Sequence, residues 1–328
     1  RSDEVTTKEK LLELFESNRG LYFSGEDIAK TLCLSRAAVW KAVKSLQSEG
    51  YAISAITNRG YCLSPETDIL SSSGIQKYLN FDNSDMEICV LPTVTSTNAY
   101  VREKADYGEL EGYTVISNEQ SAGRGRLGRN FHSPPGTGLY MSTVLRPKNY
   151  LAHQAVNITT IAAVAMCEAI EAVSCEKTQI KWVNDIFVRG KKVCGILTEA
   201  SLSMESGMLE YAVLGIGVNI YRPKNGFPQE IENIADCIFE TPQNDVKNRL
   251  AAEFLNNFMA YYATLEKADY VEKYRSRSLV IGKRVTVNSI DQSKSAMVIG
   301  IDDNCRLLVK YDDGKEESLS SGEISINL

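Results

Sequence analysis

Histidine is nearly missing from this sequence: only His132 and His153 occur in 328 residues. Neither begins an HRD, which removes the protein-kinase reading of any glycine-rich loop. No Ser/His/Asp set for nucleophilic catalysis stands out either. The eight cysteines (33, 62, 89, 167, 175, 194, 237, 305) form no CxxC pair, so free thiols in a reducing cytosol are expected. A long hydrophobic run is also lacking. The most apolar stretch, residues 161–173, is interrupted by Glu168 and Glu171 and falls short of the ~20 residues that a bilayer span needs. With no signal-peptide pattern, a cytoplasmic protein with no membrane partner is expected. Positive charge is not in excess: the net charge is −6, so there is no overall nucleic-acid signature.

What is present is enough for two or three domains, at ~100–200 residues each, and 43% hydrophobic residues supply an ordinary core. Charge is unevenly shared. Residues 1–64 hold nine Lys/Arg against eight Asp/Glu, which leaves −7 on the remainder.

Residues 5–64 read as three helices and a hairpin. Leu11, Leu12, Leu14 and Phe15 stripe the first helix. Ser24 and Ser35 are N-cap candidates for the second and third. The third turns Val39, Val43 and Leu46 inward and leaves Arg36, Lys41, Lys44 and Ser45 on other faces. Two short strands, 51–56 and 60–63, follow, joined by a turn carrying Arg59. This order predicts a winged helix-turn-helix whose DNA contacts come from Ser35, Arg36, Lys41, Lys44 and Arg59, with a small helical interaction domain as the alternative on pattern alone. Trp40, inside the recognition helix, is expected to pack rather than to read bases.

The rest of the chain is organised around residues 120–140, QSAGRGRLGRNFHSPPGTGLY, which hold five glycines and three arginines. Glycine lets backbone approach a ligand closely and guanidinium pairs with phosphate or carboxylate, so a mobile loop closing over an anion is expected. Gly123, Gly125 and Gly128 also spell GxGxxG. A dinucleotide fold needs a helix directly after that turn, whereas Pro134 and Pro135 forbid one here.

On either side, residues 64–68 read as a linker, 68–79 as a short helix and 87–91 as a strand. The polar cluster Thr93-Val94-Thr95-Ser96-Thr97-Asn98 opens another helix and suits a neutral polar ligand, with plain capping by Ser96 or Thr97 as the alternative. Strands are expected over 113–118, 138–145 and 211–220, and a core helix over 157–173. In IKWVNDIFVRGKKVCGILTEA (180–200) two strands flank a hairpin at 189–192. Lys192, beside an apolar run, is positioned to pair with an anion, whereas Lys191 suits a solvated turn. An amphipathic helix over 244–267 precedes four short strands, 284–288, 296–301, 307–311 and 317–320, which read as a small barrel.

Taken together, SRAAVWKAVKSLQSEGY, STN, GRGRLGR, KWVNDI with KVCGIL, GIGVNI and the terminal SGEISI resemble the motif set of biotin protein ligases. They agree in order and spacing from about Lys8 to Leu328, and with the winged helix they resemble the bifunctional type, which also represses the biotin operon. Two departures, Val183 where KWPND has proline and Phe131 where tryptophan is common, bear on loop rigidity and stacking rather than on chemistry; a third, Leu127 where some members carry arginine, leaves fewer charges on the loop.

The resemblance implies an α+β multidomain fold: a winged helix over 1–64, a class II synthetase-like mixed sheet with helices over 65–272 and an SH3-like barrel over 273–328. It implies a biotin–[acetyl-CoA-carboxylase] ligase that forms biotinyl-5'-AMP from biotin and ATP with Mg²⁺. The biotin is then passed to a lysine of the biotin carboxyl carrier protein. Biotinyl-5'-AMP would also be the corepressor of a homodimer on operator DNA. Carried over by motif, biotin falls to Ser96, Thr97, Asn98, Gln120, Gly123, Arg124, Lys192 and Gly195. The adenylate falls to Arg126, Arg129, Phe131, Asn184, Gly215, Gly217 and Asn219, and catalysis to Arg126, Lys181, Lys192 and Asp185. No fixed protein ligand for a metal is implied; Mg²⁺ comes with ATP. A lipoate or octanoyl ligase would not bring this N-terminal domain or loop. A purely biotin-sensing repressor has no need of Lys181, Lys192 and three loop arginines together.

Overall fold

The structure is a computed structural model that describes residues 6–148, 150–151, 154–203, 205–288 and 293–326. The chain divides into two units, Arg1–Ser84 with Thr241–Glu253, and Asp85–Glu240 with Phe254–Leu328.

In the first unit, α1 (Thr7–Glu16) opens with a Thr6/Glu9 capping box. Helices α2 (Gly25–Thr31) and α3 (Arg36–Ser48) are capped by the side chains of Ser24 and Ser35, as expected. Strands β1 (Ile53–Ile56) and β2 (Gly60–Leu63) pair antiparallel through a turn with Asn58 at φ 64°. Leu11, Phe15, Ile28, Val39, Val43, Leu46 and Leu63 fill the core. Trp40 does not join them. It is 56% exposed, because Val39, Ala42, Val43 and Leu46 already occupy the inward face of α3.

The helix expected over 68–79 is only α4 (Ser72–Gln76). Its start is fixed from outside: Asn248 accepts from the Ser71 N–H (3.0 Å) and donates to the Ile69 carbonyl (2.8 Å). Beside it lies a balanced cluster of two carboxylates and two cations. Arg19 and Lys77 each bond both Glu16 and Asp245, at 2.6–2.8 Å, and Tyr78 donates to Asp245 at 2.7 Å. The Glu16 side chain is 1% exposed, and its burial is tolerable only because both cations reach it.

The second unit is built on a seven-stranded mixed sheet. Its elements are β3 (Ile88–Leu91), α5 (Thr97–Asp106), β4 (Thr114–Ser117), β5 (Gly138–Leu145), α6 (Ala155–Ser174), β6 (Thr178–Lys181), β7 (Asp185–Val188), β8 (Lys191–Leu202) and β9 (Leu209–Asn219). The strand order is β3-β4-β5-β9-β8-β7-β6; β3 and β4 run parallel and the other pairs antiparallel. Residues 180–200 hold parts of three strands rather than two, since the chain also reverses at Trp182–Asn184, between β6 and β7. Helix α6 is 20 residues long and apolar enough to cross a membrane, longer than its sequence suggested, but 67% of its most apolar window is buried in protein. It is a core helix.

The helix expected over 244–267 is α7 (Val246–Ala263), which starts in the first unit, and a 3-10 turn, Leu265–Lys267. Helix α8 (Val271–Ser276) was not expected. Strands β10 (Arg284–Asn288), β11 (Ser293–Ile301), β12 (Leu307–Tyr311), β13 (Glu316–Leu319) and β14 (Glu323–Ile326) form one antiparallel sheet in the order β13-β12-β11-β10-β14. The SGEISI motif thus supplies a fifth strand beside β10.

Candidate functional site

The central strands β5, β9 and β8 carry a bare patch. Gly215 and Gly217 on β9 stand opposite Ser142 and Tyr140 on β5, and Gly217 also faces Gly195 on β8. A Cβ on Gly215 would lie 2.0 Å from Asn98 Oδ1, and one on Gly217 would lie 2.5 Å from the Phe131 ring. Side chains from the helix and the loop therefore sit where only glycine leaves room.

At one end of this patch runs a row of polar groups. Gln120 Oε1 accepts from the Thr97 N–H (2.9 Å) and lies 3.1 Å from the Thr97 hydroxyl. The Ser142 hydroxyl is 2.8 Å from that of Thr97 and 2.6 Å from Asn98 Oδ1. Asn98 in turn donates to Glu199 at 2.8 Å, and Gln120 donates to Ser133 at 2.9 Å. Thr97, Asn98 and Ser142 are buried, so their orientations are fixed before any ligand arrives. Ser96 holds the N-cap position of α5 but makes no side-chain cap, and Thr97 is committed to this row. The capping alternative therefore does not account for the motif.

At the other end are the charges. Lys192 Nζ lies 2.7 Å from Asp185 Oδ1 and 3.3 Å from where a Gly195 Cβ would stand, the same distance as the Phe131 ring. Lys181 is the register partner of Asp185. Burial holds its pKa below the ordinary lysine value, with Asp185 pulling the other way. Asn184 donates to the Ile196 carbonyl at 2.7 Å and accepts from Arg126 at 3.0 Å.

The glycine-arginine loop closes on itself as a small hairpin. Phe131 N–H donates to the Gly123 carbonyl (2.9 Å) and Gly125 N–H to that of Arg129 (2.7 Å). A 3-10 turn, Arg126–Gly128, forms the tip with Leu127 at φ 55°. Its arginines have separate fates. Arg126 bonds Asn184 and the Gly322 carbonyl (2.8 Å), Arg129 pairs with Glu323 (2.6 Å), and Arg124 is exposed. Asn219 lies further along β9, donating to the Asp236 carbonyl at 3.2 Å.

Thr97, Asn98, Gln120, Gly123, Phe131, Gly195, Gly215 and Gly217 thus come together, as do Arg126, Asn184, Asp185 and Lys192. The sequence reading missed Ser133, Ser142, Glu199, Gly322 and Glu323. Ser142 did leave a trace, as one of two adjacent hydroxyls, with Thr143, in a mostly apolar strand. In the first unit, Ser35, Arg36, Lys41, Lys44 and Arg59 are all exposed. The Ser35 hydroxyl accepts the Ala38 N–H at 3.1 Å, and the Arg59 guanidinium lies 4.4 Å over the Tyr22 ring.

Residues 90–219 match the biotin/lipoate A/B protein ligase family, 280–326 the biotin protein ligase C-terminal domain, and 7–62 an HTH domain. The chain is 31% identical to the bifunctional ligase/repressor BirA of Bacillus subtilis, over 96% of this chain and 98% of that protein. It is 29% identical to the Escherichia coli BirA over 97% and 96%. Biotin protein ligase from Aquifex aeolicus, in complex with biotin and ATP, superposes with a TM-score of 0.61 at 25% identity, over 74% of this chain and 98% of that one.

Proposed function

Because this chain belongs to the bifunctional biotin ligase/repressor family, joining biotin ligation to DNA-binding repression, we propose that both activities pass through the glycine patch and its two flanks. The observation that carries this reading is the meeting of a neutral polar row and a lysine on one bare strand face. The row of Thr97, Asn98, Gln120 and Ser142 suits the ureido ring of biotin, with Ser96, Gly123 and Arg124 beside it. The aliphatic chain then takes the place against Gly217 and Gly195 that the Phe131 ring fills here, once the loop lifts that ring, and brings the carboxylate to Lys192.

There the carboxylate attacks the α-phosphate of ATP and pyrophosphate leaves, giving biotinyl-5'-AMP. Lys192, Lys181 and the loop arginines 126 and 129 stabilise charge as it develops on the phosphoryl oxygens. Asn184 and Asn219 border the adenylate. Mg²⁺ bound with the nucleotide would offset phosphate charge, and Asp185, a carboxylate near that end, would hold the ion or orient the incoming amine. The acceptor lysine of the carrier protein then attacks the acyl carbon and AMP departs. No enzyme nucleophile is needed.

Arg126 holds the loop tip to Asn184 and Gly322, which makes it a clamp. Arg126→Gly is expected to release biotinyl-5'-AMP early and to label bystander lysines on unrelated proteins. A streptavidin blot of added albumin checks this, and a variant that retains the adenylate as long as wild type ends the clamp idea.

Repression follows from the same pocket if the ordered loop shapes a dimer surface. A single winged helix makes few phosphate contacts and binds DNA weakly, so a cytoplasmic homodimer on an inverted repeat is expected, favoured by the adenylate and opposed by the unbiotinylated carrier. Sedimentation with and without biotinyl-5'-AMP, alongside operator binding, tests this. Equal dimer fractions and equal DNA affinity in both conditions would sink the coupling.

A further inference from the structure

We infer that Trp40 is a base-reading residue of the winged helix, contacting the 5-methyl group of a thymine in the major groove. The inference rests on the DNA-binding half of the reading above.

Trp40 lies on α3 between Arg36 and Lys44, at spacings of four residues, so the three side chains share one stripe about 12 Å long. Arg36 and Lys44 are exposed and Trp40 is 56% exposed. The face that packs, through Val39, Ala42, Val43 and Leu46, adjoins this stripe and is centred about 110° around the helix from Trp40. Trp40 therefore adds little to the core, and its indole N–H meets no acceptor among the described residues. A large aromatic left in water within a basic stripe fits a partner that is anionic at its rim and apolar at its centre. The major groove, about 12 Å wide, is such a surface: phosphates line its edges, and the thymine methyl is its apolar group. Arg36 and Lys44 would take the phosphates, which position the helix without reading sequence. Trp40 would supply discrimination.

The sequence allows a direct test, because there are only two tryptophans and the other, Trp182, is buried at 3% exposure. Duplexes are selected from a random-sequence pool by the wild-type protein with biotin and MgATP. Trp40→Ala should then bind the selected duplex about tenfold more weakly per half-site, with unchanged salt dependence and circular dichroism. Lys44→Ala should instead lower the salt slope by about one. Replacing one selected thymine by deoxyuridine should weaken the wild type several-fold and leave Trp40→Ala unaffected. Tryptophan emission should change when wild-type protein binds DNA, and should not change in Trp40→Phe.

Equal binding of the selected duplex by wild type and Trp40→Ala, with no cost of deoxyuridine at any position, would overturn the inference. So would a shift in self-association of Trp40→Ala without DNA, which would make the residue a protein contact. If the wild type selects no sequence at all, the DNA-binding reading itself fails, and this inference falls with it.

Discussion

Lys192→Ala is expected to slow formation of biotinyl-5'-AMP by about a hundred- to a thousandfold, the range for removing one preorganised charge-stabilising group. The fold should barely respond. The Lys192 and Asp185 side chains are 30% and 21% exposed, so water still reaches the carboxylate left behind and losing the pair costs about 1–2 kcal/mol. Pyrophosphate release with biotin and MgATP reads the first effect, and urea unfolding reads the second. A variant that forms the adenylate at the wild-type rate would take Lys192 out of the chemistry.

Gly215→Ala is the sharper test of the patch. The added methyl would stand 2.0 Å from Asn98 Oδ1 and 2.7 Å from its Cγ. Strand β9 cannot give way, because β5 and β8 hold it on both sides. Asn98 must rotate instead, losing its contacts with Ser142 and Glu199, and the polar row is then broken next to the ligand. Biotin affinity should fall about a hundredfold, as expected when fixed polar groups are left mispaired. Stability should drop by about 1–3 kcal/mol. Gly190→Ala is the control: its φ of 78° strains any side chain, but nothing lies within 4 Å, so biotin binding should be untouched. Titration calorimetry with biotin separates the two. Wild-type affinity in Gly215→Ala would contradict the assignment of the patch.

Much of this was legible beforehand because local chemistry decided it. The caps at Ser24 and Ser35 needed only their own helices, and β5, β10 and β12 began and ended where alternation and turn residues placed them. Failures came where distant chain intervened. Asn248 ends the extended segment before α4, although it lies far along the sequence. Ser142 becomes a site residue only through its register opposite Gly215. The loop arginines looked free, but two of them meet Gly322 and Glu323, a pairing that no local pattern encodes. Trp40 went wrong because the inward face of α3 was already full.

The most direct test of the central claim is to incubate the wild-type protein with biotin, ATP and Mg²⁺ in the absence of any acceptor. Denaturing the mixture and measuring the released small molecules by mass spectrometry, with lipoate in a parallel sample, then reads the pocket itself. The account predicts about one biotinyl-5'-AMP per protein chain, with matching pyrophosphate, and no lipoyl adenylate. A lipoyl adenylate, or no adenylate from biotin, would contradict it.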